Sequence, residues 1–569
     1  MSYPNYMSPE MGRFEKWALL LREESEEHTL AFVATILFVA VNALIFIWWH
    51  HPLYGKNIGP RVYPFVGSLP SAIQHAHRLL DFSVETLRKS PTLTIRYVQS
   101  GYTAYSTANV ENVEYVLKTK FDNFVKGERM GDVLFDLLGR GIFNADGNLW
   151  KLQRKLASHE FSSRSLREFG VECVQKELQN RLVPVLSQFS ENGNVVDLQD
   201  LLMRFSFDNI CQLGFGVDPN CLEPSLPPVK FAEAFDKANE CTLLRFRTFP
   251  IMLRLYKFFN IGIERGLKES MAVVHNFAQE VIEARRKEFN ENHGDIGHAR
   301  QDLLSRFMLF TDSSNSEVLV QSDLERKCIS DLNLDASDAK EKQKASDIFL
   351  RDMVISFVLA GRDTTSLGLS WFFYALGHNP HVEAKIYDEI KEQLQLQAQE
   401  DDSLPSSRPP GQLFTFEQLK KLHYLHAALH ESLRLFPPVP WDSKHAVRDD
   451  VLPDGTVILK GERVTFNIYA MARMEANWGP DCNEFKPERW LKDGVFVPES
   501  PFKFATFQAG PRICLGKEMA LIQMKLVASS LVYCFKFTLL EDPPRTCLSF
   551  VFKMLNGFPV IVHKRAVST

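Results

Sequence analysis

The segment FATFQAGPRICLGKEMA, from Phe504 to Ala520, constrains this chain more than any other. Its skeleton reads Phe507-x-x-Gly510-x-Arg512-x-Cys514-x-Gly516. A lone cysteine is most often a small buried hydrophobe. Here it is framed by glycines, which permit tight turns and close approach of the backbone to a flat group. The N–H groups beside the sulfur, and the N-terminus of the helix expected after it, favour a negative sulfur. Arg512 offers a planar fork of donors for a carboxylate. Phe507 is expected to pack beside the sulfur and shield it from water. A thiolate in this setting suits the axial position of a haem iron, where it pushes electron density to the metal and favours O–O cleavage. Arg512 would then meet a haem propionate, with Gly510 and Gly516 against the ring.

The rest of the composition excludes simpler classes. Nine scattered cysteines without a C-x-x-C pair give neither a disulfide scaffold nor a zinc ribbon. A net charge of -5 argues against nucleic-acid binding. No G-x-G-x-x-G or P-loop occurs, so electrons for redox chemistry must come from another protein. Long helical patterns dominate from about Pro70 onward, with short strand signals near both ends. Two polar stretches, Arg326 to Asp347 and Gln397 to Gln412, read as loops.

Between those loops a single helix is expected from Asp347 to His378. Leu350, Met353, Val354, Phe357, Gly361, Thr364, Thr365, Gly368 and Phe372 recur at three- and four-residue steps as a buried stripe. Gly361 and two hydroxyls interrupt it, and a helical Gly costs about 1 kcal/mol. A competing metal site is offered by "HYLHAALHE", where His423, His426 and His430 lie near one helix face beside Glu431. Without H-E-x-x-H, a zinc hydrolase is the weaker reading.

The cysteine loop resembles that of the cytochrome P-450 superfamily, and the resemblance covers nearly the whole chain after an N-terminal anchor expected at 29–49. It implies a mainly α fold with small β-sheets around haem b. "AGRDTT" (Ala360 to Thr365) is similar to the family's oxygen-activating segment: Gly361 would open the helix groove for dioxygen, Thr364 would donate a hydrogen bond to it, and Asp363 would relay protons. "ESLR" and "PERW" supply Glu431, Arg434 and Arg489, a buried structural lock in the family. "WKLQR" supplies Trp150 and Arg154, which would contact propionates. The intact Asp363–Thr364 pair favours monooxygenation over peroxide rearrangement.

Stretches such as "NVEYVLKTKFDNFVKGERM", "LGRGIFNADGNLWKLQRKLASHEFS" and "YAMARMEANWG" resemble the plant fatty-acid omega-hydroxylase clan. The implied reaction places one oxygen atom on a terminal or near-terminal carbon of a fatty acid, with jasmonate–amino-acid conjugates as the alternative. By position, Met130 to Leu138, Val439 to Ser443 and Phe550 to Leu555 are candidate substrate contacts, and Trp441 would narrow the pocket. NADPH electrons would arrive through a separate flavoprotein reductase, with Lys151, Lys155 and Lys517 as a candidate docking patch.

Four parts are expected along the chain: a tail at 1–28, a transmembrane anchor at 29–49, a proline-rich hinge at 50–70 and the catalytic domain at 71–569. The anchor rests on an apolar run long enough to span a bilayer, closed by Trp48 and Trp49. Lys56 and Arg61 favour a cytosolic catalytic side on the endoplasmic reticulum membrane.

Overall fold

The computed structural model describes residues 33–45, 59–63, 67–99, 102–291, 302–312, 323–334, 338–400, 409, 412–548 and 550–565. Helices make most of it. Those that position the site are α1 (Glu128–Leu138), α2 (Gly147–Ser162), α3 (Leu198–Phe215), α4 (Lys230–Arg247), α5 (Pro250–Phe259), α6 (Ile263–Glu291), α7 (Ala339–Val358), α8 (Thr364–His378), α9 (His423–Leu435) and α10 (Lys517–Cys534). Their ends follow ordinary capping chemistry. Asp197 accepts from the Asp200 N–H at the start of α3, and Gly216 closes that helix in the left-handed region, where a side chain would be strained.

Five short strands form the largest sheet: β1 (Thr94–Gln99), β2 (Tyr102–Thr107), β3 (Phe124–Val125), β4 (Asp442–Ala446) and β5 (Arg463–Phe466). Their spatial order is β1-β2-β5-β4-β3. β2 and β5 run parallel, with Tyr105 opposite Val464, and the other pairs are antiparallel. Two chain regions far apart in sequence, 94–125 and 442–466, therefore meet in one sheet.

Two apolar clusters hold the helices. One joins the sheet to α8, α9 and α10 through Phe372, Leu429, Val464 and Leu531. The other packs α1, α3, α4, α6 and α7 through Leu137, Phe207, Phe235, Val274 and Phe357.

The helix expected from Asp347 to His378 is longer and interrupted. It begins at Ala339, capped by the Asp338 side chain, and between α7 and α8 the ladder widens to a π-turn at Leu359–Asp363. The charged stretch from Arg326 to Asp347 is therefore not a plain loop. A helix over Asp323–Asp331 and the first turns of α7 occupy much of it, and Cys328, Ile329 and Leu334 supply the buried face. The polar Gln397–Gln412 stretch lies partly in a helix that ends at Glu400, and 401–408 are outside the described residues.

Of the expected anchor, residues 33–45 are helical with exposed apolar side chains, Phe38 at 70%. The remainder of 29–49, the tail and much of the hinge lie outside the described residues. No helix among the described residues is long and apolar enough to cross a membrane. A second exposed apolar surface lies on α5 and just beyond it, where Phe258 is 83% and Phe259 60% exposed.

Candidate active site

The cysteine loop is built from two 3-10 turns, Ala505–Phe507 and Gly510–Arg512, that deliver Cys514 to the start of α10. The Cys514 N–H donates to the Phe507 carbonyl at 2.8 Å and closes the loop. Seven other described cysteines are buried, but the Cys514 thiol is open. It is nevertheless surrounded by protein, and burial pushes its pKa up. The N–H groups of Gly516 and Lys517 and the charges of Arg154 and Lys517 pull the other way. These groups would stabilise a thiolate. The ring of Phe507 lies between Phe504 and the Lys517 ammonium, 5.6 Å from the latter.

The two glycines have different reasons. Gly510 has φ of +64°, and a Cβ there would lie 2.1 Å from the Leu117 carbonyl oxygen. Its close approach is to protein backbone. Gly516 has φ of -83°, and a Cβ would meet only ordinary contacts with Phe161 and the Cys514 sulfur. Gly516 lies in the turn that leads into α10, without a left-handed backbone.

Beside the thiol, α2 presents Trp150 and Arg154 one turn apart. The Arg512 guanidinium lies 4.5 Å from the centroid of the Trp150 ring. It donates to Asp146 Oδ1 at 2.6 Å and to the Ala145 carbonyl at 3.0 Å. Asp146 also accepts the N–H groups of Lys126 and Gly127, at 3.2 and 3.0 Å. Sequence reasoning missed this carboxylate, whose only sign is its place four residues before Trp150. Burial lowers the pKa of Arg154, the Cys514 sulfur opposes that shift, and Arg512 adds to it. Among the described residues Arg154 makes no hydrogen bond or ion pair, and its charge acts on the Cys514 sulfur.

On the π-turn, Thr364 Oγ1 donates to the Ala360 carbonyl at 2.6 Å. That bond holds the hydroxyl to its own helix. Gly361, on the π-turn itself, packs against α3. A Cβ there would lie 2.5 Å from Ile210 Cγ1, so the missing side chain lets α3 pack on the turn. Asp363 is buried and accepts from Arg362 Nη1 at 2.9 Å. Burial pushes its pKa up to about 6 against the pull of Arg362. The same guanidinium nitrogen donates to Asp236 Oδ1 at 2.7 Å, and Lys553 Nζ donates to Asp236 Oδ2 at 2.8 Å. Asp236, Arg362 and Lys553 line a cleft of about 470 Å³. Asp363 thus has no direct face to solvent, and its way out runs through Arg362 and Asp236. Nothing in the sequence pairs residues 236, 362 and 553.

The lock residues meet. Arg434 holds Glu431 with two bonds of 2.8 Å, and Arg489 Nε and Trp490 Nε1 reach the same carboxylate at 2.8 and 2.9 Å. Arg434 also donates to the Cys482 and Glu484 carbonyls, tying α9 to the chain before the cysteine loop. The histidines expected as a rival metal site are packed instead. His426 stacks on Phe496 at 4.0 Å, and His430 Nδ1 meets the His426 carbonyl. Among the described residues no three His, Cys, Asp or Glu side chains could hold a metal ion.

Leu515, Leu359 of the π-turn, Phe550 and Met130 all pack on one apolar cluster, so the thiol, the turn and two candidate substrate segments share a wall. The other candidate contacts divide. Phe552 stacks on Trp371 at 4.5 Å and Met554 is fully buried, so both are core, whereas Leu555 is exposed.

The chain matches the family model described as Cytochrome P450 over residues 58–557. It is 40% identical over 519 residues to Cytochrome P450 94A1 of Vicia sativa, covering 89% of this chain and 90% of that protein. It is 42% identical to Cytochrome P450 94B1 of Arabidopsis thaliana, covering 94% and 97%, and 40% identical to Cytochrome P450 86B1 of the same plant, covering 94% and 90%. A crystal structure of the cytochrome P450DA haem domain superposes with a TM-score of 0.66 at 22% identity, covering 90% of this chain and 98% of that one. A mainly helical fold with a thiol-bearing loop of this pattern defines a class, the haem-thiolate monooxygenases. This chain belongs to the cytochrome P450 family, which implies a haem iron.

The residues present fit that group. One open thiol receives two backbone N–H groups. The guanidinium groups of Arg154 and Arg512 beside Trp150 are suited to a propionate. Leu515, next to the thiol-bearing Cys514, and Leu359 of the π-turn pack on the same apolar cluster.

Proposed function

We propose that this protein is an NADPH-dependent monooxygenase that hydroxylates the terminal or near-terminal carbon of fatty acids. The observation that carries the reading is identity of 40–42% over nearly the full chain to plant members of the 94 group, joined to the packing of Leu515 and Leu359 on one apolar cluster. A terminal methyl has the strongest C–H bond of an alkyl chain. Attack there needs an apolar passage that presents the chain end-on and hides the inner carbons.

Haem, when bound, supplies the iron at which dioxygen is reduced and one oxygen atom is passed to carbon. The Cys514 sulfur would be its protein ligand, steadied by the Gly516 and Lys517 N–H groups. Trp150, Arg154 and Arg512 would hold the propionates, with Phe507 and Gly510 fixing the loop and Gly361 seating the π-turn on α3. Thr364 would accept or relay a proton after rotating from the Ala360 carbonyl. Asp363 would carry that proton, with Arg362 holding it beside Asp236 and the cleft at Asp236 as the inlet. Glu431, Arg434 and Arg489 hold the haem-binding half together without touching the chemistry.

Electrons would come from a separate NADPH–flavoprotein reductase docking near Lys151, Lys155 and Lys517. The endoplasmic reticulum membrane is the proposed location, with a single anchor at 29–49, a hinge at 50–70 and the catalytic body, 71–569, on the cytosolic side. The exposed apolar face of α5 supports contact of the body with lipid.

The test supplies membranes holding this protein and a reductase with NADPH, a fatty-acid panel and a jasmonoyl–amino-acid conjugate, and locates the new oxygen by mass spectrometry. Terminal alcohols from fatty acids are expected. Oxidation of the conjugate alone would replace the substrate, and no product from spectrally intact protein would refute it.

A further inference from the structure

Two carboxylates at the π-turn share one nitrogen. Arg362 Nη1 donates to Asp236 Oδ1 at 2.7 Å and to Asp363 Oδ1 at 2.9 Å. Arg362 and Asp363 are buried on the turn itself, and Asp236 stands half-buried on α4. A carboxylate with no other counter-charge would draw the guanidinium to itself. Asp236 has another. Lys553 Nζ donates to its second oxygen, Oδ2, at 2.8 Å.

Lys553 comes from a third element. It is the middle residue of the strand Phe552–Met554, which pairs with Thr546–Leu548. Side chains alternate along a strand. Phe552 and Met554 are buried in the core, and Lys553 turns the other way, to α4. The strand is pinned on both sides of it. Trp371 Nε1 donates to the Phe552 carbonyl at 2.7 Å. The Gln199 amide donates to the Met554 carbonyl and accepts the Met554 N–H, both at 3.0 Å. Lys553 is therefore a fixed cation to which α4 is tied. Phe550, from the same segment, meets Phe246 of α4 edge-on at 6.1 Å. The segment thus touches α4 at an apolar candidate substrate contact and at an ionic one beside the acid.

The charged groups that face Asp363 are Arg362 on its own turn, Asp236 on α4 and Lys553 on the hairpin. Arg362 also faces Asp200 of α3, which Arg204 already holds at 2.7 Å. With Lys553 present, two cations meet the carboxylates of Asp363 and Asp236. Without it, both carboxylates compete for one guanidinium, and the charge on Asp236 acts on Asp363 unopposed. Both effects favour the protonated form of Asp363.

We propose that Lys553 is a positioning residue for proton delivery: by neutralising Asp236 it leaves Arg362 to hold the Asp363 carboxylate at the π-turn. This rests on the reading of Asp363 as the proton carrier, and the test keeps the two apart.

Protonation of Asp363 is followed in the ferric holoprotein by its infrared carboxyl band, assigned by loss of the band in Asp363→Asn. Lys553→Met should raise the pH of half-protonation by about half a pH unit or more. Lys553→Arg should keep it near the parent value. Lys553→Met combined with Asp236→Asn should bring it back toward the parent, because the competing carboxylate is gone. Product per NADPH, measured in membranes with reductase across the same titration, should shift in the same order. Haem per protein should match the parent in every variant. A purely structural role would leave the midpoint in place and make the double variant no better than the single one. An unmoved midpoint in Lys553→Met, or a double variant displaced as far as the single, overturns the proposal. A midpoint that moves while product per NADPH ignores pH in every protein would sink the proton-carrier reading alone. Coupling that depends on pH, is flat in Asp363→Asn and is untouched in Lys553→Met would sink this proposal alone.

Discussion

Asp363 and Thr364 are adjacent in sequence but differ in what holds them. Thr364 is tied to its own helix, and Asp363 is tied across the molecule by Arg362 to Asp236 on α4. Removing the hydroxyl by Thr364→Ala should leave haem content intact and lower product per NADPH consumed. The loss should approach a hundredfold, the low end of what a positioned proton-transfer group contributes. Asp236→Asn should act in the same direction but more weakly, because Lys553 keeps a polar partner. The acid's pKa, pushed up to about 6 by burial, gives a sign. The proton-carrying form of Asp363 grows as pH falls toward 6, so coupling should rise between pH 7.5 and 6 in the parent and stay flat in Asp363→Asn. A parallel profile in both proteins would remove Asp363 from the proton path. The identities of Cys514, Arg512, Trp150, Thr364 and Asp363 were legible because they lie within short fixed patterns. Asp146, Asp236 and Lys553 were not, because their partners lie on other elements and no local spacing betrays them.

The cysteine loop and the lock set the tolerance of whole elements. Gly510→Ala combines a left-handed backbone, costing about 1–2 kcal/mol, with a Cβ against the Leu117 carbonyl, and should yield protein with little bound haem. Gly516→Ala should retain haem near the parent level, and equal loss in both would contradict the account. Glu431 receives Arg434, Arg489, Trp490 and the Lys486 N–H. Glu431→Gln leaves buried cations short of an anion, and unfolding should become easier by about 3–5 kcal/mol, measured by thermal or denaturant melting. His430, buried on α9, has its pKa pushed down to about 3 by burial. A histidine lowered in the folded state gives stability that is complete above about pH 6.5 and is lost as pH falls toward 3, by up to about 1.4 kcal/mol per unit. His430→Asn removes that dependence, so the parent should lose ground to the variant between pH 6.5 and 5. A constant difference across that range would contradict it. The long helix was legible from its apolar stripe. Its π-turn was not, because the stripe records which face is buried and not how the ladder is spaced. The helix within the Arg326–Asp347 stretch was hidden because, among its described side chains, Cys328 and Ile329 alone are buried apolar groups.

At the scale of the molecule, helix content and the presence of small sheets were readable from periodicity. The joining of β2 to β5 across more than three hundred residues was not, since pairing at that separation leaves no local mark. Two apolar surfaces, 33–45 and α5, remain uncovered among the described residues. If both meet lipid, removing residues 1–50 should leave partial membrane association, and adding Phe258→Ser and Phe259→Ser should release the body. Full release on truncation alone would take α5 out of the membrane contact. The central claim, a haem iron held by the Cys514 sulfur, is tested most directly by the ferrous–carbon monoxide difference spectrum of the parent and of Cys514→His. The parent should give the band of a thiolate-ligated haem. Cys514→His should shift it to the position of an imidazole-ligated haem or abolish haem binding. A thiolate band that survives in Cys514→His would contradict the account.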